Sequence, residues 1–198
     1  MAAGGAPSRE VNTIVLFAEQ KDWTAWLDAN HTASDGVWLR LAKKGSGIQS
    51  VSYAEALEAA LCYGWIDAQK KGESEHAWLQ RFTPRRNKSI WSKVNREKAA
   101  ALIAAGRMQP AGLEQVARAQ QDGRWVAAYD SPANAEVPGD LQAALDRNAR
   151  AKAFFGALDR ANRYAILWRI QTVKKAETRA RRIRQFVEML ERREKVHR

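Results

Sequence analysis

The sequence predicts an α+β protein: a small N-terminal sheet with packed helices, followed by an all-helical C-terminal region. Three observations carry this reading. Residues 37–43 and 76–83 alternate in the manner of half-buried strands, with Val37, Leu39 and Leu41 on one face of the first. Beyond a Pro- and Gly-containing stretch at residues 130–139, every segment repeats its apolar residues at three- and four-residue spacing. Between these regions, residues 61–95 hold Trp65, Trp78 and Trp91 interleaved with arginine, serine and asparagine, where a simple core would keep aromatics and charges apart.

Four regions follow in order. Residues 1–12 are small and polar and are expected to form a disordered tail. Residues 13–129 form an α+β domain with a Trp/Arg-rich centre, residues 130–139 a linker, and residues 140–198 a helical region. Within the domain, Trp23, Trp26, Leu27 and Asn30 place a helix at residues 19–30. After the first strand, Ser52 and Glu55 make a capping box for a helix whose buried stripe is Leu57, Ala60 and Leu61 and whose stop is Gly64. Trp65 to Asp67 is a short extended segment leading to a polar turn at residues 70–75, and Pro84 ends the second strand. Ser92 is positioned to cap a helix reaching Ala105, closed by Gly106, and Pro110 opens a helix to Gln121. The helical region divides at 140–147, at 149–158, after a cap at Asp159, and at 175–194. In the last helix Ala176, Ala180, Ile183, Phe186, Val187 and Leu190 form an apolar stripe flanked by Arg179 and Arg182.

Composition bounds the function classes. The 198 residues are long enough for a real core, and eight tryptophans imply a well-formed core, a stacking pocket, or both. The net charge of +11 is uneven, since residues 160–198 hold 13 Lys/Arg against 4 Asp/Glu. The single cysteine, Cys62, excludes an intramolecular disulfide and reads as a buried, inert thiol. Three scattered histidines argue for no metal site, and neither a Walker loop nor dinucleotide-binding glycines are present, so no cofactor is expected. With no secretory signal and no apolar run of spanning length, a soluble cytoplasmic protein is the expectation.

The candidate site lies in the Trp/Arg-rich centre. Arg85, Arg86 and Ser89 lead into a helix start with Ser92 and Asn95, which together have the ingredients of an anion site. The alternative is that Arg85 or Arg86 pairs with Asp67 and pins the loop. Asp67 sits two residues from Trp65 on the same side of an extended chain, where it could serve as a general base or as a structural partner of arginine. The basic run at residues 174–182 either contacts a phosphate backbone or is a solvated helix face.

The motifs GVWL with its following KK, YAEALEAALCYGWID, RFTPRRNKSIWSKVN, AAGRMQPAGL, DGRW and KKAETRARRI resemble the YdeI/OmpD-associated, or bacteriocin-protection, family over about residues 23–190. The resemblance implies an α+β region followed by a helical one. It also implies a stress or envelope role linked to bacteriocins or cationic peptides and to an outer-membrane porin, with no catalytic residues to carry over. Three functional readings follow. The first is a protection factor binding a small anionic ligand or a protein partner through Trp65, Asp67, Arg81, Arg85, Arg86, Ser89, Trp91, Ser92 and Asn95, closed by Arg179 or Arg182. The second is an enzyme on a small anion with Asp67 as base. The third is non-specific nucleic-acid binding by the basic C-terminal helix.

Overall fold

The computed structural model describes residues 13–197; the tail expected at residues 1–12 lies outside them. The chain divides into two compact units. One holds the residues up to Ser89 together with Asn95–Val126, the other Ile90–Val94 together with Ala127 onward. Among the described residues there are eight helices and a four-stranded sheet, so the α+β class with a helical C-terminal region holds. No helix among them is long and apolar enough to cross a membrane.

In the first unit, strands β1 (Ile14–Val15), β2 (Val37–Ala42), β3 (Trp65–Gly72) and β4 (Ala77–Pro84) form a sheet of order β1-β2-β4-β3. β1 pairs parallel to β2, and β4 runs antiparallel to both its neighbours. Val37, Leu39 and Leu41 are buried, as their alternation requires. Two features depart from the sequence reading. The apolar pair Ile14–Val15 adds a strand too short to show a period. β3 continues five residues past Asp67, with a bulge between Asp67 and Lys70, through side chains that the sequence assigns to a polar turn. It is an edge strand whose outer residues are exposed, so backbone pairing to β4 holds it without any apolar alternation.

The helices of this unit are α1 (Gln20–Asn30), α2 (Tyr53–Cys62), α3 (Lys93–Ala104) and α4 (Pro110–Gln121). The capping box forms: Ser52 Oγ accepts from the Glu55 amide, and the Glu55 carboxylate accepts from the Ser52 amide at 2.9 Å. Trp23 and Leu27 turn inward from α1, and Trp23 Nε1 donates to the Ala56 carbonyl at 3.0 Å. Gly64 ends α2 at φ +73°, and a Cβ there would stand 2.8 Å from the Ala111 carbonyl. Glycine is therefore required both for the left-handed turn and for the approach of α4. Cys62 is buried beside this turn, and burial pushes its thiol pKa up.

The second unit contains α5 (Gly139–Asp146), α6 (Ala149–Ala157), α7 (Arg160–Gln171) and α8 (Ala176–Glu191). Leu141, Leu145, Phe155, Ile166, Ile170 and Leu190 make its core. Asn148 and Asp159 cap α6 and α7 by accepting from the amides of Ala151 and Asn162. α8 packs on the other three helices through Ile183 and Leu190, with Phe186 and Val187 partly buried; the stripe read from its spacing holds for these four, whereas Ala176 and Ala180 in the first half of the helix are exposed. The Arg179 guanidinium clasps Asp140 at 2.6 and 2.9 Å and also donates to the Ile170 carbonyl.

Candidate functional site

The residues of the expected pocket are distributed over both units, and the structure gives several of them other roles. Trp65 is 1% exposed; it stands edge-on to Trp23 and Trp26, and its Nε1 donates to the His31 carbonyl. It is a core residue because β3 begins with that face turned toward α1, so it offers no open wall to a ligand. Asp67 accepts from the Tyr53 hydroxyl at 2.8 Å, so its hydrogen bond goes to a phenol at the start of α2 and not to an arginine of the loop. Arg81 pairs in register with Trp38, and its buried Nε has no hydrogen-bond partner among the described residues.

Arg85 is buried, with its amide on the Gly64 carbonyl. Arg86 is exposed, and it and Ser89 close a turn: the Arg86 amide donates to Ser89 Oγ, and the Ser89 amide to the Arg86 carbonyl. The loop is further tied by a residue that spacing did not single out. Arg124, 5% exposed, pairs through Nε with Asp122 and donates from Nη1 to the Ser89 carbonyl at 2.8 Å. Asn95, half-buried, lies in the first turn of α3.

In the second unit, Trp91 is buried and Ser92 bridges to Tyr129. The Tyr129 amide donates to the Trp91 carbonyl at 3.0 Å and the Lys93 amide to the Tyr129 carbonyl at 2.8 Å. Lys93 Nζ meets Asp130 at 2.6 Å, and Gln171 both donates to that carboxylate and accepts from the Asp130 amide. Burial pushes the Asp130 pKa up, but these bonds and the Lys93 charge outweigh it and hold the carboxyl below the usual aspartate range. The segment read as a helix cap thus fixes the position of Tyr129. Arg179 is committed to Asp140, and Arg182 reaches the Arg169 carbonyl at 3.4 Å.

Tyr129 is one wall of an open groove of about 750 Å³ running along α7. Tyr164 and Trp168 complete the aromatic side, with the Tyr129 and Trp168 rings at right angles and 6.2 Å apart. Ala161 and Ala165 also line it, Arg160 and Arg169 are the first and last residues of α7 to do so, and Pro132 and His197 join them from outside the helix. The Tyr164 hydroxyl donates to the Asp130 carbonyl at 2.9 Å, and burial pushes its pKa up to about 12, so it remains a neutral phenol. Among the described residues, Arg160 and Arg169 have no carboxylate partner. Arg169 returns one donor to the Ala165 carbonyl of its own helix.

Sequence reasoning placed Tyr164 and Trp168 on a helix but did not see a site there. The available signal was Arg160, Tyr164 and Trp168 at successive four-residue steps, on a helix whose Ile166, Leu167 and Ile170 already supply a core face. Among the described residues, no three His, Cys, Asp or Glu side chains are grouped to hold a metal.

The architecture is that of an α+β unit and a four-helix unit, the latter bearing an aromatic groove with arginines at its ends. Residues 15–115 match the family described as Domain of unknown function (DUF8412), and as this spans half the chain, the protein belongs to that family. Residues 134–193 match the family described as Bacteriocin-protection, YdeI or OmpD-Associated, which supports the family resemblance drawn from the motifs. The resemblance was drawn over residues 23–190, whereas this match covers the helical part. Comparison with curated proteins and with solved structures gave no match.

Proposed function

We propose that this protein binds a small organic anion, and that its site is the groove along α7. The observation that carries the reading is a cleft in the size range of small-molecule sites, with three aromatic walls and, at each end, an arginine that has no carboxylate partner among the described residues. Arginine forks match carboxylate or phosphate oxygens, and Trp and Tyr supply rigid apolar contact at low entropic cost. This is the chemistry expected from the sequence, built from other residues. The bacteriocin protection and OmpD association in the family description for residues 134–193 give the setting in which we place such binding.

An enzymatic role for Asp67 is less well supported, because that carboxylate accepts from the Tyr53 hydroxyl and, among the described residues, no histidine or second acid bonds to it. The basic face of α8 is partly neutralised through Arg179 and Asp140. The test is a thermal-shift and calorimetric screen of the purified protein against aromatic carboxylates and organic phosphates. A ligand whose binding is lost in Trp168→Ala and kept in Arg85→Ala supports the groove. Binding that survives Trp168→Ala but is lost in Arg85→Ala returns the site to the Trp/Arg-rich centre.

A further inference from the structure

The placement of the two groove arginines says more about the ligand than its sign; this inference rests on the groove being the binding site. Arg160 is the first residue of α7 and Arg169 lies nine residues on. At 1.5 Å per residue their backbone positions are roughly 13 Å apart along the helix axis, and at 3.6 residues per turn they fall on opposite flanks of the stripe formed by Ala161, Tyr164, Ala165 and Trp168. Between them the groove presents the two alanines and the aromatic side. The one hydroxyl in its interior whose partner is defined, that of Tyr164, already donates to the Asp130 carbonyl.

Among the described residues, no acidic side chain lines the groove. Asp130 spends its carboxylate on Lys93 and Gln171, and Asp159, next to Arg160, spends both oxygens on Asn162. The Arg160 end is bounded by His197, whose amide donates to Asn162 Oδ1 at 2.7 Å. The result is an apolar trough with one cationic group at each end. A compact anion satisfies only one of those groups and leaves the apolar length between them uncovered.

We propose that the groove selects an elongated dianion with an apolar, preferably aromatic, body, one acidic group meeting Arg160 and the other Arg169. Each end then adds its own charge-assisted hydrogen bonds, and the body stacks on Tyr164 and Trp168.

The experiment is calorimetric titration of the intact protein with three probes. These are biphenyl dicarboxylate with its acids at opposite ends, biphenyl monocarboxylate, and the shorter benzene dicarboxylate with its acids para. The long dianion is expected to bind roughly tenfold or more tighter than the monoanion, the worth of one charged hydrogen-bonded end. Arg160→Gln and Arg169→Gln should each reduce the long dianion to the level of the monoanion. The short dianion should gain nothing from its second acid. Equal affinity for the long dianion and the monoanion, with Arg169→Gln silent, overturns the two-ended site and leaves a one-ended anion site standing. Failure of all three probes to bind wild type, where other anions from the screen bind through Trp168, also overturns the dianion inference alone. If no organic anion binds through Trp168, the proposed function falls, and this inference with it.

Discussion

In the first unit Trp23 is fully buried among Phe17, Trp26, Trp65 and Phe82, with its indole nitrogen on a backbone carbonyl. In the second, Trp168 meets Tyr129 edge to face, but the pair borders open space. The arginines differ in the same way. Arg124 is buried against Asp122 and a loop carbonyl, whereas Arg160 is exposed with no acidic partner among the described residues. The same residue types therefore serve as scaffold at Trp23 and Arg124 and as an open, charged surface beside α7, although the second unit also has scaffold members in the buried Trp91 and in Arg179 on Asp140. The difference lies in what the neighbouring element covers: α1 and α2 close over the first cluster, while none of the described residues of the second unit fills the trough beside α7.

The largest effect that tests this contrast is on stability. Trp23→Ala removes a fully buried indole and leaves the Ala56 carbonyl without its donor, so a loss of about 3–5 kcal/mol is expected in urea denaturation. Trp168→Ala, at a half-buried wall, is expected to cost about 1 kcal/mol or less while abolishing ligand binding. Equal losses for the two variants would mean that Trp168 is a core residue like Trp23, and the contrast would collapse.

Next in size is the acid support behind the groove. Asp130 has its folded pKa lowered, so its contribution is complete above the ordinary aspartate value, about 4, and is lost as pH falls through the folded value. Asp130→Asn is expected to cost about 1–2 kcal/mol at neutral pH, in line with a partly exposed ion pair and its hydrogen bonds. The variant should also flatten the stability loss as pH falls below the ordinary aspartate value. An unchanged acid limb would show that another carboxylate controls it. A comparable loss of about 1–2 kcal/mol is expected for Arg124→Lys, because lysine cannot reproduce the fork that holds Asp122 and the Ser89 carbonyl together.

Which of these features could be read in advance depended on how one-sided each element is. α1, α2, β2, β4 and α8 bury one face, and residues such as Val37, Leu39 and Leu41 or Ile183 and Leu190 announce it. β3 failed that test because Lys70 and Lys71 on an edge strand are exposed and paired to β4 through the backbone, with Lys70 Nζ lying over the Trp78 ring, so no apolar alternation marks the strand. The groove was hidden for the opposite reason. α7 carries apolar residues on its core side, Ile166 and Ile170, and on its groove side, Tyr164 and Trp168, so the second face reads as more core. Tyr129 is placed by pairing with Trp91 and Lys93, thirty-six and more residues away in sequence, and no local pattern encodes that. The dense Trp/Arg stretch drew attention because density is visible in a sequence, whereas exposure is not.

The smallest expected effect bears most directly on the comparison. Arg160 is exposed at the start of α7, makes no ion pair among the described residues, and packs into no core. A residue of that kind contributes nothing that denaturation can read, so Arg160→Gln should leave stability within about 0.5 kcal/mol of wild type. A scaffold arginine behaves otherwise, as Arg124→Lys measures. Suppose Arg160→Gln instead costs as much as Arg124→Lys. Arg160 would then be holding the fold as Arg124 does, and its guanidinium would not be available at the groove. Unchanged stability together with weakened anion binding would assign the charge at that end of the groove to recognition.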